Sequence, residues 1–475
     1  MVKPAALLAG AGLILLGACA RVGPDYHVPP TAMVKAPAAQ GPFVAAGPGT
    51  RNDPLPDHWW RLFDDPRLDT LIETALAANT DLRVAEANLQ RTQALLRDRE
   101  TRRQVQGGFS AETEWTQRSA EQVLSHTQPS EKETYDLGLS VSYDLDLFGA
   151  LHRGIEAASA DSEAAQAARD LVRVNVAAET ARDWADLCNA GHQADVLRSV
   201  IARQEAGLAL TRETVRHGRA APYEIERRES MVETARARLP GLIAAQREAL
   251  FRLTAMTGRP PAQADPSLLR CHTPLTLKQA IPVGDGQALL ARRPDIRLAE
   301  RRLAATTARI GVATAALYPD ISLGGAIGST GAATDMVSPL TNRFTVGPSI
   351  HWTLNRSGVR ARIAATQAQG EADLAAFDGT VLKALREVEV ALTAYGADID
   401  RQRDLAHARD DARDVAAHLG TLRKGGRIGG LPAVEADRDA LLAEEAVAAG
   451  QATLNADQMR LFLALGGGWT RPAAL

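Results

Sequence analysis

From Leu137 to Leu147 the chain alternates. Leu137, Leu139, Val141, Tyr143, Leu145 and Leu147 are apolar, and Asp136, Gly138, Ser140, Ser142, Asp144 and Asp146 between them are small or polar. A period of two predicts a strand with one apolar and one polar face. Phe109, Ala111, Thr113 and Trp115 alternate in the same way with Ser110, Glu112, Glu114 and Thr116. So do Ile321, Leu323, Gly325 and Ile327 with Ser322, Gly324, Ala326 and Gly328. Phe344, Val346, Pro348, Ile350, Trp352 and Leu354 alternate with Thr345, Gly347, Ser349, His351, Thr353 and Asn355. These stretches predict two hairpins, over 105–147 and 319–355.

The rest of the pattern is helical. It begins at "DDPRLDTLIETAL", where Asp65 is placed to cap and Pro66 suits the first helical position. No Pro occurs between 150 and 216 or between 359 and 423. Two helices of about 65 residues follow, each about 100 Å long at 1.5 Å per residue. In the second, Leu385, Val388, Leu392, Tyr395 and Ile399 fall at coiled-coil spacing. Both long helices run into glycine and then proline, "RHGRAAP" and "RKGGRIGGLP", which predicts helical hairpin tips at 216–222 and 424–432, pointing away from the strands.

The chain reads as an internal duplication. "TDLRVAEANL" matches "PDIRLAERRL", "DLDLFGALHR" matches "TLNRSGVRAR", and "TVRHGRAAP" matches "TLRKGGRIGGLP", in the same order. The expected organisation is a segment 1–18, an extended Pro/Gly/Ala-rich arm 19–58, a first copy 59–258, a linker 259–286, a second copy 287–469 and a tail 470–475. Each copy runs helix, β-hairpin, long helix, tip, helix.

Two half-buried hairpins of a soluble sandwich would also alternate. Against that, a four-stranded sheet leaves two open edges. Phe344 and Trp352 are also spaced about 26 Å apart along a strand, comparable with a lipid band once tilt is considered. The apolar positions Phe109, Trp115, Leu137, Leu139, Val141, Tyr143, Ile321, Leu323, Phe344, Val346, Ile350 and Trp352 are therefore expected to face lipid. Glu112, Glu114, Asp136, Ser140, Asp144, Thr345, Ser349 and His351 are expected to face a lumen. Four strands cannot close a membrane barrel, whose smallest members have about eight, so several chains must contribute.

Composition adds the address. The first residues, "MVKPAALLAGAGLILLGACA", place Lys3 before an apolar run too short to span a bilayer, the layout of a secretory signal. "LGAC" resembles the bacterial lipobox, which implies cleavage before Cys19 and a covalent diacylglycerol and N-acyl lipid on it. Ala20 and Arg21 lack the acidic residue that retains lipoproteins in the inner membrane, so the resemblance implies an outer-membrane address. The 475 residues carry a formal net charge of -3, which gives no electrostatic case for nucleic acid. The other cysteines, Cys188 and Cys271, lie far apart in sequence and are expected as two unpaired thiols, with a disulfide left open.

Several stretches then match one family in order: "VGPDYHVPP", "WWRLFDDPRLDTLIETALAANTDLRVAEANL", "RRPDIRLAERRL", "GVATAALYPDISL" and "LFLALGGGW". The chain resembles TolC-family outer-membrane efflux lipoproteins of the OprM/NodT branch over nearly its whole length after Cys19. The resemblance implies a homotrimer. Its fold is mainly α with membrane β: a 12-stranded β-barrel, four strands per chain, continued by a 12-helix periplasmic α-barrel with a mixed equatorial region. It further implies a periplasmic adaptor and an inner-membrane pump of the resistance-nodulation-division type as partners. One departure is visible: "WTLNRSGVR" stands where the family has an "FDGGR"-like turn. Asn355, Arg356 and Ser357 replace the familiar residues, and Gly358 is expected to keep the turn.

A duct of this kind does no covalent chemistry. "GGAIGSTG" lacks the Lys-Ser/Thr ending of a phosphate loop, and His407 and His418 lie too far apart for a zinc site, so neither an enzyme nor a cofactor is expected. The resemblance implies a constriction near the helical tips, for which Asp410, Asp411, Asp414 and His418 are the candidates, beside Arg413; a solvated helix face explains each of them as well. Arg216, His217, Gly218, Arg219, Arg423, Lys424, Gly425 and Arg427 are candidate adaptor contacts at the tips, or solubilising turn charges. The alternatives are a type I protein-secretion duct of the same fold and a coiled-coil lipoprotein without a pore, which leaves the strands unexplained.

Overall fold

A computed structural model describes residues 21–467. Cys19, the signal-like segment before it and the tail 470–475 lie outside the described residues. The elements in chain order are α1 (Pro66–Ala78), α2 (Thr80–Thr101), β1 (Gln106–Thr116), β2 (Lys132–Asp144), α3 (Ala150–Arg216), α4 (Tyr223–Met256), α5 (Gly286–Arg292), α6 (Pro294–Ala315), β3 (Asp320–Ala332), β4 (Asn342–His351), α7 (Arg356–Lys424) and α8 (Gly430–Ala464).

Short polar side chains start several of the helices. Asp65 accepts from Arg67 N at 2.9 Å, with Pro66 in the first turn of α1. Asn79 Oδ1 accepts from Asp81 N at 2.9 Å, which starts α2. Asp146 accepts from Leu151 N and His152 N, both at 2.9 Å, ahead of α3. Each of these satisfies backbone donors that a helix leaves orphaned in its first turn. With no internal Pro, α3 continues for 67 residues and α7 for 69.

The described residues divide into two units. The first comprises 21–29, 88–166 and 298–377 and holds one antiparallel sheet of order β1-β2-β3-β4. The second comprises 30–87, 167–297 and 378–467. Its core gathers Trp59, Trp60 and Phe63 from the turn that follows the arm, Trp184 from α3, Val388 and Leu392 from α7, and Phe462 from α8. Trp59 stacks on Phe462 with ring centroids 4.3 Å apart. The coiled-coil positions Val388, Leu392 and Tyr395 are buried there, and Leu385 and Ile399 pack against them. The arm is captured by α7: Glu389 accepts from Val44 N and Ala45 N, each at 2.8 Å, and Asp378 from Met33 N at 2.7 Å.

Two expectations change. The thiols of Cys188 and Cys271 are joined in a disulfide rather than free. The linker folds back along one face of α3, where Cys188, Gly191 and Asp195 follow one another. A Cβ on Gly191 would stand 2.5 Å from Cys271 O, so only glycine admits the linker. Gln246 Nε2 donates to Leu269 O at 3.0 Å, and His272 pairs with Asp195. Nothing local in the sequence marks a contact spanning 83 positions. The second correction concerns the turn before α7. Gly149, ahead of α3, turns with φ 79°, whereas Gly358 is an ordinary helical residue in the first turn of α7. Ser357 Oγ donates to Asn355 Oδ1 at 2.6 Å, and the helix is already under way at Arg356.

The disulfide closes a long loop, so its loss should cost about 2–4 kcal/mol. In detergent, Cys271→Ser and the reduced native protein are expected to share one guanidinium midpoint, below that of the oxidised native protein. Equal midpoints with and without reductant would show that the noncovalent staple suffices.

Candidate functional site

The register of the sheet sorts its side chains. Phe109 pairs with Leu139, Leu139 with Ile327, and Ile327 with Phe344, so one row of large apolar groups crosses all four strands on one face. Alternation places Trp115, Leu137, Val141, Tyr143, Ile321, Leu323, Val346 and Ile350 on that face too. The face is uncovered: Phe109 is 73% exposed, Phe344 79% and Ile350 66%. Glu112, Glu114, Asp136, Ser140, Asp144, Thr345, Ser349 and His351 share the opposite face. Trp352 lies one residue beyond β4, its Nε1 donating to Leu317 O at 3.1 Å and its ring under the Arg356 guanidinium. Pro348, which has no backbone N–H to give, lies opposite Leu323 on β4, the outer strand of the chain's own sheet.

The polar face has a charged pair that sequence reasoning missed. Arg343 on β4 reaches over β3 to Asp136 on β2, with Nη2 2.6 Å from Oδ1. It crosses above Gly328, which stands directly between Arg343 and Gly138 in the register. Side chains there would block the path.

Below the strands, the same unit holds the start of the arm. Arg153 is buried and its guanidinium meets Asp25 at 2.6 Å, Glu156 at 2.7 Å, and the carbonyls of Val22 and Gly23 at 3.3 Å each. Gly23 and Gly311 supply the room for this close packing; a Cβ on Gly311 would lie 2.8 Å from the Arg153 stem. Hydrogen bonding to Arg153 holds the Asp25 carboxyl below its usual range. Tyr26 donates to Glu300 at 2.9 Å, and burial, then the Glu300 charge, push its phenol up. Residues Val22–Tyr26 are therefore fixed to α3 and α6.

In the second unit the two tips are built alike. Arg219 N donates to Thr214 O and Arg427 N to Leu422 O, each at 2.9 Å, around Gly218 and Gly426, both at φ 67°. This is the left-handed stop that glycine adopts without strain. The turning residue of the second tip is Gly426, one position after Gly425. Arg216, His217, Arg219, Arg423, Lys424 and Arg427 are all exposed. Glu213 takes both Arg216 at 2.8 Å and His217 at 2.9 Å, so the first tip is less basic than its sequence.

On α7, His407, Asp411, Asp414 and His418 recur at intervals of four, three and four, which lines them on one exposed stripe. Asp410 lies at its flank, paired with Arg409 at 2.7 Å. Arg413 turns away to α8, its Nε 2.8 Å from Glu444. Among the described residues no group of three or more His, Cys, Asp or Glu is arranged to hold a metal ion, and no helix is long and apolar enough to cross a membrane.

The profile of the outer membrane efflux protein family matches residues 71–259 and 286–467. The chain belongs to that family. The outer-membrane channel OprN shares its fold with a TM-score of 0.85 and 33% identity, over 94% of this chain and 99% of that one. The pyoverdine export outer membrane protein OpmQ of Pseudomonas putida is 28% identical over 93% of this chain and 94% of its own length. Nodulation protein T of Rhizobium leguminosarum bv. trifolii is 27% identical over 86% and 85%. This efflux protein is thus a mostly helical outer-membrane protein of the TolC type, in its OprM/NodT branch.

One buried group of the efflux protein titrates in an accessible range. Asp457 on α8 is 4% exposed, with Arg460 at 2.7 Å. Burial, then the hydrogen bond with the Asp398 carboxyl on α7, push it up to about 6 from an ordinary 3.8. The folded state therefore keeps a proton that the unfolded chain has lost. The stability it contributes grows as pH falls from about 6 towards 4 and is gone once pH rises through about 6. Thermal midpoints at about pH 7 and about pH 5 should show this gain in the native protein and a smaller gain in Asp457→Asn. An identical pH response in both would remove Asp457 from the account.

Proposed function

We propose that the efflux protein is one third of a trimeric outer-membrane duct, in which three copies of the sheet close a 12-stranded barrel and the paired helices of each chain contribute to a periplasmic tube. The observation that carries this is the uncovered row Phe109–Leu139–Ile327–Phe344, backed by an opposite face of polar and small residues without a large apolar side chain. A strand with such faces is a barrel stave, with lipid on one side and water on the other. β1 and β4 are the sheet's open edges, and pairing β4 of one chain with β1 of the next would satisfy both. The apolar row faces lipid in this assembly, and Asp136, Arg343 and their neighbours line the lumen.

Solute delivered by an inner-membrane pump of the resistance-nodulation-division type, through a periplasmic adaptor, leaves by diffusion. The chain performs no covalent step. A lipid on Cys19 adds an anchor, and the Arg153 clamp supports this reading because it ties residues 22–26, just beyond that cysteine, to the body. The basic tips are the adaptor contacts. Three stripes of Asp411, Asp414 and His418 narrow and charge the periplasmic end, favouring cations. The transported class is drugs or other small toxic solutes; a relative's name, that of the pyoverdine export protein OpmQ, supports export of a small organic solute.

The detergent-purified mature protein should have three times the chain's mass, and it should restore drug resistance to a strain lacking its own outer-membrane channel. A detergent-free soluble monomer would end the proposal. Three variants divide it further. Cys19→Ser should lose acyl labelling, charge reversal at Arg219 and Arg427 should lose adaptor cross-linking with the trimer intact, and Asp414→Asn should reduce the cation preference of single-channel currents. An unchanged readout removes the corresponding assignment alone.

A further inference from the structure

The loop between β3 and β4 does not stand free beyond the sheet. Its short helical turns, Ala333–Asp335 and Pro339–Thr341, fold it back onto the apolar face. Three hydroxyls hold it there. Tyr135 Oη donates to Thr341 Oγ1 at 2.8 Å and lies 2.6 Å from Ser329 Oγ, and Ser329 Oγ is 2.7 Å from Thr341 Oγ1. Val337 N donates to Tyr135 Oη at 2.9 Å. By alternation Tyr135 shares its face with Leu137 and Leu139, yet it is 2% exposed. Gly331 lies opposite Tyr135, and a Cβ there would stand 2.6 Å from Thr341 Cγ2, so glycine leaves the space in which the loop lies.

The latch has a cost and a product. The cost is Val337 at φ 60°, a left-handed conformation that a β-branched residue adopts only when its surroundings enforce it. The product is a display: Met336, Val337 and Leu340 turn outward, Leu340 with 96% exposure. The latch stands on Tyr135 of β2 and Ser329 of β3, the two central strands, and on Thr341, just before β4. The displayed side chains thus add to the exposed apolar surface at the loop end of the sheet. Residues 333–341 contain no Lys or Arg, so the loop offers no cation to a lipid headgroup; Thr334 and Asp335 are exposed at its start, and the apolar Met336, Val337 and Leu340 follow them.

We propose that this loop is a flap that dips into the bilayer: the Tyr135 latch pins it to the outside of the barrel wall, away from the mouth, and Met336, Val337 and Leu340 insert among acyl chains at the rim. This rests on the reading that the apolar face meets lipid. The test uses full-length protein in phosphatidylcholine vesicles, with one spin label on Leu340→Cys and, separately, one on Leu139→Cys. The Cys188–Cys271 disulfide leaves neither of those thiols to label. Both labels should collide with dissolved oxygen in preference to a water-soluble nickel chelate. Adding Tyr135→Phe should raise the chelate accessibility of the Leu340 label several-fold and leave the Leu139 label unchanged. Thr341→Val breaks the same latch from the loop side and should do the same should Tyr135→Phe disturb the sheet. A watery Leu340 label beside a lipid-exposed Leu139 label overturns the flap alone. Watery labels at both positions overturn the lipid-facing reading and the flap with it. No response at Leu340 to either latch variant overturns the latch.

Discussion

A sheet that buries neither face governs this protein. In the chain by itself, the row Phe109–Leu139–Ile327–Phe344 and its neighbours Trp115, Val346 and Ile350 are uncovered, and the outer strands that carry most of them, β1 and β4, end the sheet. Each large apolar side chain left in water forgoes roughly 1.5–3 kcal/mol. Unpaired edge strands invite further pairing. No rearrangement within the chain removes both problems, because turning the apolar face inward would bury Glu112, Asp136 and Asp144 on the other. Lipid on one side, water on the other and a neighbouring chain at each edge remove them together. The family assignment is consistent with this, but the physical demand comes from the strands.

The polar face shows a second constraint. On β3 it presents Ser322, Gly324, Ala326 and Gly328, all small, and the flanking strands add Gly108, Gly138 and Gly347. Space is being kept. Arg343 uses part of it to reach Asp136 over the intervening strand. This pair is half exposed, so its worth to stability is small. Its consequence is positional: it places a cation and an anion side by side above a floor of glycine, where longer side chains would otherwise crowd them.

Period-two alternation made the strands and their faces legible, because each residue's face depends only on its parity. The helix tips were legible for a similar reason, since a left-handed stop needs glycine and the next helix accepts proline. What escaped was whatever depends on distant partners. Parity alone assigns Tyr135 to the exposed face; the loop that buries it arrives from 194 to 206 residues away in sequence. Cys188 and Cys271 carry no local mark of their pairing. Gly358 looks equivalent to Gly149 in the duplicated motif, but the helix begins before it. The glycines of "LFLALGGGW" had no assigned cause, yet Gly466, at φ 81°, leaves room for the Arg293 stem.

Arg293 and Arg153 reveal a shared device, one in each unit. Arg293 reaches Asp295 at 2.6 Å, Glu387 at 2.8 Å and the Ala464 carbonyl at 2.7 Å, with Gly466 beside it. Arg153 reaches two carboxylates and two carbonyls, with Gly23 and Gly311 beside it. The long helices need such devices. Much of their buried surface is alanine, as at Ala157, Ala160, Ala164, Ala167, Ala177, Ala178 and Ala181 on α3. Alanine permits close approach but distinguishes poorly between one register and the next. A buried guanidinium does distinguish them: one slipped turn would strip it of several partners at once, and an unpaired buried charge costs far more than a mispacked methyl. Glycine is the other half of the device, because only a position without a side chain lets the arginine lie flat against the neighbouring backbone. Two of the partners of Arg293, Glu387 and the Ala464 carbonyl, belong to α7 and α8, so it selects the register of those two helices, whereas the partners of Arg153 outside α3 all lie in residues 22–25, so it fixes the arm on the start of α3.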